Sequence, residues 1–109
     1  MKPARLRPAA QNDLTDLTRW YAEQGGNALG ARLFDSAHAA LAPIQRMLGL
    51  GSPLQAESVG ITGLRHWGVE GFPVRWFYLE RDDHLDVLRL LGERQDIAEL
   101  LAAEPPPSA

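Results

Sequence analysis

The chain contains no cysteine. Structural disulfides, thiolate catalysis and cysteine-based zinc sites are thereby excluded, and a reducing compartment fits. Uninterrupted apolar runs of the roughly 18 residues that a membrane span needs are also missing. The opening stretch MKPARLRPAAQNDL has basic residues but no apolar centre of a signal peptide, so a cytoplasmic protein with no membrane partner is expected. A surplus of positive charge is lacking as well. The net charge is −3, with a balance of +2 over residues 1–81 and −5 over residues 82–109. A non-specific polyanion binder should be basic throughout. Here a local arginine patch is the remaining route to nucleic acid, and the acidic end reads as solvated surface. The three histidines, His38, His66 and His84, have no ligand-like spacing. Glu80, Asp82, Asp83 and Asp86 resemble a solvated hairpin end more than a Mg²⁺ site. Glycines 49, 51, 60, 63, 68 and 71 precede no helix as a phosphate loop would, and read as turn and bulge residues. No metal and no cofactor are expected.

What is present is a foldable composition. The 109 residues are 45% hydrophobic, enough for one domain with one modest core. Ala4–Arg7 reads as a short edge strand, and Pro8 suits a first helical turn. From Ala9 to Gln24, Ala10, Leu14, Leu17 and Tyr21 recur at helical spacing. Asp13 and Asp16 lie towards the positive end of this helix. Gly25–Gly26 stops it. Asn27 reads as the cap of a second helix, with Leu29, Leu33, Phe34, Ala37, His38 and Leu41 as its apolar stripe. Pro43 is expected to kink or interrupt that helix. Gly49, Gly51, Ser52 and Pro53 mark a loop. Two helices around a glycine turn make an antiparallel hairpin.

The second half changes period. A strand is expected to begin at Val59, Ile61 and Leu64 and to continue through Trp67 and Val69, with a turn at Glu70–Gly71. In Phe72–Leu79, Val74, Trp76 and Tyr78 alternate with Arg75, Phe77 and Leu79. After Asp82–Asp83, Leu85–Leu91 reads as a strand with Leu85, Val87, Arg89 and Leu91 opposite Asp86, Leu88 and Leu90. Both faces are partly apolar, so one packs on the helices and the other needs a tail, a protomer or another protein. Arg94–Ala103 reads as a short terminal helix. The single domain is placed at residues 1–103, with residues 104–109, EPPPSA, as a flexible tail.

Three arginines, Arg65, Arg75 and Arg89, fall on these strands and could meet across a three-stranded sheet. Their fixed donor forks suit phosphate or carboxylate, and surface salt bridges to Asp and Glu are the plain alternative. Alternation puts His66 on the face away from Arg65. Tyr78 reads as packed, with substrate or partner contact as the other possibility. Trp20, Trp67 and Trp76 suit either a small core or an interface.

Several segments together resemble the RelE/ParE toxin superfamily of bacterial type II toxin–antitoxin systems. The first helix is similar to the family's opening pattern at Pro8, Ala10, Asp13, Leu14, Leu17 and Tyr21. Ala31, Phe34, Ala37 and Leu41 match the second helix. Gly63–Arg65 resembles the start of the sheet, Phe72, Arg75, Phe77 and Tyr78 its central strand, and Val87–Asp96 its closing strand and turn. The resemblance covers roughly residues 4–101. It implies an α+β fold: an amino-terminal antiparallel helical hairpin packed on a curved antiparallel sheet of three to four strands, with a short carboxy-terminal helix.

The resemblance also implies a partner, a cognate ParD-like antitoxin with a DNA-binding amino-terminal domain and a carboxy-terminal segment that folds over the toxin, in a higher-order hetero-oligomer. Its binding would follow coupled folding. The expected antitoxin contacts are Arg75 and Arg89 for carboxylates and Phe34, Trp67, Trp76, Phe77 and Leu90 as apolar anchors, some of which must be core. The sequence is more similar to the ParE branch, which poisons DNA gyrase, through the long hairpin, the GLR segment and the arginine-rich ending Arg89–Asp96. Arg65 and Arg94 are then the expected target contacts, and the protein is an enzyme inhibitor and not an enzyme. The alternative within the superfamily is a RelE-like, ribosome-dependent mRNA endoribonuclease, with Arg65, Arg75 and Arg89 around the phosphate and His66 or Tyr78 assisting. No terminal tyrosine or histidine of that branch follows Leu91. A third alternative is a non-toxic homologue that still binds antitoxin.

Overall fold

The computed structural model describes residues 1–47, 49–53, 61–93 and 95–104. Strand β1 (Ala4–Leu6) leads through Pro8 into helix α1 (Pro8–Gly25). The proline loses nothing there, because the first N–H groups of a helix have no internal partner. Gly26, at φ 95°, turns the chain into helix α2 (Asn27–Arg46). Gly26 and not Asn27 is the cap residue, and no side chain caps this helix. The hairpin is tight at Gly30, where an added Cβ would lie 2.8 Å from the Thr18 carbonyl oxygen. Helix α2 continues through Pro43 to Arg46, so the expected interruption does not occur; the missing N–H costs one helical bond while Ile44 stays fully buried.

The remaining elements are β2 (Ser52–Pro53), β3 (Arg65–Gly68), β4 (Val74–Glu80), β5 (Leu85–Gly92) and α3 (Ile97–Ala102). Five strands form one sheet in the order β1-β5-β4-β3-β2. The fold is the expected α+β arrangement, with two differences in the sheet. It has five strands, and it is mixed: β1 runs parallel to β5, pairing Ala4 with Leu85 and Leu6 with Val87. The two added pairings are short edges, and β2 includes a proline, which an edge strand tolerates. Strand β3 starts at Arg65; Ile61 lies outside it, and Val59 falls outside the described residues.

Strand β5 carries a bulge. Phe77 pairs with Arg89, but its neighbour Tyr78 pairs with Val87, which leaves Leu88 as the additional residue. A bulge shifts the two-residue alternation by one. Leu85, Val87 and Leu90 therefore face the helices, while Leu88 and Leu91 face away. This overturns the simple alternation expected for Leu85–Leu91.

The sheet thus has two apolar faces. The inner one packs Val74, Trp76, Tyr78, Val87 and Leu90 against Leu14, Leu33, Ala37 and Ile44 of the hairpin. Trp76 is completely buried, and its indole N–H donates to the Ala37 carbonyl at 2.9 Å. The outer face holds Phe77, Leu79, Leu88 and Leu91 with Ile61 and Leu64, and α3 covers it with Leu101, Ile97 and Leu100. Asp96 caps α3 by accepting from the Glu99 N–H at 3.1 Å. No helix among the described residues is long and apolar enough to cross a membrane.

Candidate interaction surface and its arginines

The pairing of β3 with β4 decides where the candidate residues go. Arg65 lies opposite Tyr78, Trp67 opposite Trp76, and Gly68 opposite Arg75. Directly opposed residues share a face. Arg65 therefore joins Trp67, Trp76 and Tyr78 on the helix side, while Arg75 shares the other side with Phe77. The three arginines do not converge.

Each has its own partners. Arg65 donates to the Gly51 carbonyl at 2.6 Å and to the Gly49 carbonyl at 3.3 Å. The Tyr78 hydroxyl accepts from the Gly51 N–H at 3.0 Å, and the Glu80 carboxylate accepts from the Gly49 N–H. Together these three side chains pin the segment after α2 to the sheet. Burial pushes the Tyr78 phenol up, with Glu80 adding to it and the Gly51 N–H and Arg65 opposing. It is a weak proton donor or acceptor near neutrality.

Arg75 donates to His66 Nδ1 at 3.1 Å. Arginine has no acceptor, so Nδ1 accepts and the imidazole proton sits on Nε2. Burial, and then the neighbouring Arg75 charge, lower the His66 pKa from its ordinary 6.5. His66 is therefore neutral at pH 7, on the face opposite Arg65, as alternation implied.

Arg89 is held by two bonds to Asp13, at 2.7 and 2.8 Å, and reaches Glu104 at 3.3 Å. Asp13 also accepts from the Leu90 N–H at 3.0 Å, beyond the end of β1, so it satisfies the sheet edge as well as the charge. A parallel arrangement joins Arg7 to Asp86 at 2.8 and 2.9 Å and to Glu104 at 3.8 Å. Hydrogen bonds to Asp86 and Asp13 hold the Arg7 and Arg89 guanidinium groups above their ordinary pKa. Glu104, the expected start of a flexible tail, has a side chain only 9% exposed; residues 105–109 fall outside the described residues.

Of the expected apolar anchors, Trp76, Phe77 and Leu90 are core residues with 2% exposure or less. Trp67 is half-buried and lines a groove of about 440 Å³ with Ala39, Ala40, Pro43 and Val69, between α2 and β3. Phe34 is 42% exposed on α2 and lies against His38, ring centroids 4.7 Å apart. A second groove of about 590 Å³ lies at the far end of the hairpin, between Leu17, Trp20 and Tyr21 and the strand ends at Val74 and Gly92. Arg94 falls outside the described residues. No cluster of metal-ligating side chains occurs among the described residues.

The sequence reading missed Asp13, Glu104, Arg7 and Asp86 as a linked set. One signal was available. Asp13 sits on the same helical stripe as Ala10, Leu14 and Leu17, and a carboxylate on a buried stripe requires a partner.

Residues 4–97 match the family model described as ParE toxin of type II toxin-antitoxin system, parDE. A solved structure, from the chromosomal ParDE TA system of P. aeruginosa, is similar with a TM-score of 0.74 at 18% identity. The match covers 84% of this chain and 96% of that one. No curated protein matches the sequence significantly.

Proposed function

The chain belongs to the ParE toxin family of type II toxin–antitoxin systems, and on that premise we propose that it is a toxin that inhibits DNA gyrase and is neutralised by a cognate antitoxin. The observation that carries the choice between branches is the dispersal of the arginines. A nuclease centre needs several cations and a proton-transfer group around one phosphate. Here Arg65 and Arg75 lie on opposite faces of the sheet, Arg89 is paired with Asp13, and the Tyr78 hydroxyl is held by Gly51. An inhibitor acting through protein contact has no need of such a cluster.

In this reading Phe34 and Trp67 receive apolar anchors of the antitoxin, and Arg75 pairs with one of its carboxylates. The antitoxin segment orders as it binds, and buried anchors supply the free energy for that ordering. Arg65 keeps its full charge against two neutral carbonyls and, with Arg94, is assigned to the target. The toxin acts in the cytoplasm, where gyrase and its DNA are, and the toxin–antitoxin complex is a hetero-oligomer.

The test is a cleavage assay with purified, antitoxin-free toxin, gyrase, supercoiled plasmid and ATP. After detergent and protease treatment, dose-dependent linear DNA that antitoxin suppresses is the expected result. Folded toxin that leaves both cleavage and supercoiling unchanged refutes gyrase inhibition. Codon-biased cleavage of translated mRNA would instead establish the ribosome-dependent alternative.

A further inference from the structure

Tryptophan is seldom left in solvent, yet Trp20 is 48% exposed. It lines the groove of about 590 Å³ at the end of α1, a volume within the roughly 300–1,000 Å³ usual for ligand sites. This groove shares no lining residue with the one at Trp67. It opens on the helix side of the sheet, where Leu17, Tyr21 and Val74 belong to the inner core. The Trp20 ring is held in place. It meets Tyr21 edge-on with ring centroids 4.9 Å apart, and Tyr21 meets Phe72 in the same way at 5.0 Å. The strand side of the groove is held too. The Gln95 N–H donates to the Gly92 carbonyl at 3.0 Å, and the Gly92 N–H donates to Gln95 Oε1 at 2.7 Å. The Glu93 N–H donates to the Pro73 carbonyl at 3.0 Å, which ties this turn to the start of β4.

Two polar groups in this frame are left over. The Glu93 carboxylate makes no hydrogen bond or ion pair among the described residues, and neither lysine nor arginine lines the groove among them. Gln95 commits its oxygen to Gly92, so its amide NH2 is left to donate. Arg19, next to Trp20 in sequence, is turned to Asp16 at 3.6 Å. Glu23, three residues beyond Trp20, adds an acid on the same side of α1. The groove therefore presents an aromatic face, a carboxylate and an amide donor beside an apolar surface, and lacks a matching cation.

We propose that this groove binds an arginine side chain presented by an extended segment of a partner protein. A planar guanidinium stacks on an indole face while its donor fork engages a carboxylate, which the point charge of lysine does less well. The guanidinium lies on Trp20 and donates to Glu93. Its methylene stem and an apolar neighbour cover Leu17 and Val74, and Gln95 donates to a backbone carbonyl of the same segment. A nucleic-acid strand would also stack on Trp20, but its phosphates would meet Glu93 and Glu23. The site goes beyond the functional reading above. There the chain's own arginines serve an acidic partner, whereas this groove takes a basic one, whatever the toxic target.

The test needs neither antitoxin nor gyrase, so its failure is distinct from failure of the functional reading. The intact chain, labelled with heavy nitrogen, is titrated with acetyl-leucyl-arginyl-leucine amide while the cross-peaks of its three indoles are followed. Trp20→Phe assigns the peak of interest. That peak should shift and saturate below about 10 mM, while the peak of fully buried Trp76 stays in place. The same tripeptide with citrulline for arginine, alike in shape but uncharged, should bind about five-fold more weakly or worse. Glu93→Gln, a change at an exposed position, should weaken the arginine peptide about five-fold and leave the citrulline peptide unaffected. An oligothymidylate should leave the Trp20 peak where it is. Absence of a saturable Trp20 shift, equal binding of the arginine and citrulline peptides, or saturation by the oligothymidylate alone overturns the proposal. So does an arginine-peptide affinity that Glu93→Gln leaves unaltered, in a variant whose spectrum is otherwise unchanged.

Discussion

The inner and outer faces of the sheet carry similar side chains beneath unequal covers. Trp76, Tyr78, Val87 and Leu90 lie under helices of 18 and 20 residues, whose hairpin is fixed by Gly30 at the Thr18 backbone. Phe77, Leu79, Leu88 and Leu91 lie under six residues of helix and the segment at Ile61–Leu64. Burial is nearly complete on both sides, so exposure alone does not distinguish them. The distinction is in how the cover is attached. The hairpin is attached through a broad apolar stripe and a buried indole bond, and it cannot leave without the core opening. Helix α3 is attached through three side chains and the Glu104 carboxylate, and its six residues are too few to persist as a helix once undocked. Full burial is therefore not the same as global stability.

The largest expected effect falls on the inner face. Trp76→Ala should lower the unfolding free energy by about 4 kcal/mol in urea titrations, because it opens a cavity and removes the indole bond to the Ala37 carbonyl. A cost below about 1 kcal/mol would mean that the inner face is not the main core. Asp13→Ala comes next, at about 2 kcal/mol, since it leaves Arg89 with the longer Glu104 contact and takes the acceptor from the Leu90 N–H. Leu101→Ala should cost at most about 2 kcal/mol despite complete burial, because the site can relax by releasing α3. Should it match Trp76→Ala, the two covers are equivalent and the contrast fails. Tyr78→Phe removes the hydroxyl that accepts from the Gly51 N–H and should cost about 1 kcal/mol.

Arg75→Ala should have the smallest effect on stability and a definite effect on titration. The folded pKa of His66 lies below its unfolded 6.5, so the unfolded chain binds more protons in that window. Stability from this group is therefore present above pH 6.5 and declines as pH falls towards the folded pKa. Removing Arg75 takes away the lesser cause and leaves burial, so His66 should move up and remain below 6.5 in a proton-NMR titration. An unchanged midpoint would show that Arg75 does not act on it.

The helices were legible because Leu14, Leu17, Leu33 and Leu41 repeat at helical spacing and Gly26 separates two such runs. Strand β4 was legible because Trp76 and Tyr78 alternate with Arg75 and Phe77. The family resemblance then supplied the order in which they pack. What could not be read was long-range pairing. The parallel contact of β1 with β5 joins residues about eighty positions apart, and three residues of edge strand carry little pattern. The bulge at Leu88 left no mark in a run that is apolar either way, and it altered the faces of every residue after it. The candidate site failed at the same point. Arg65, Arg75 and Arg89 shared a residue type and a strand context, but register assigned two of them to opposite faces, and Asp13 claimed the third. Glu104 was hidden because the tail around it, rich in proline, looked unable to pack.

The pairing of β1 with β5 has a consequence for synthesis. Strand β1 has no sheet to join until residues 85–87 follow it from the ribosome, and Arg7 waits for residue 104 before it can meet Glu104. Closure by such distant contacts is slow compared with local pairing. A nascent chain can form its helical hairpin early, yet it must wait with one face of that hairpin uncovered until the last strand arrives. Under the function proposed above, this order defers the active shape until residues 85–104 have been made, and an antitoxin already present would have the whole of that interval in which to find the chain.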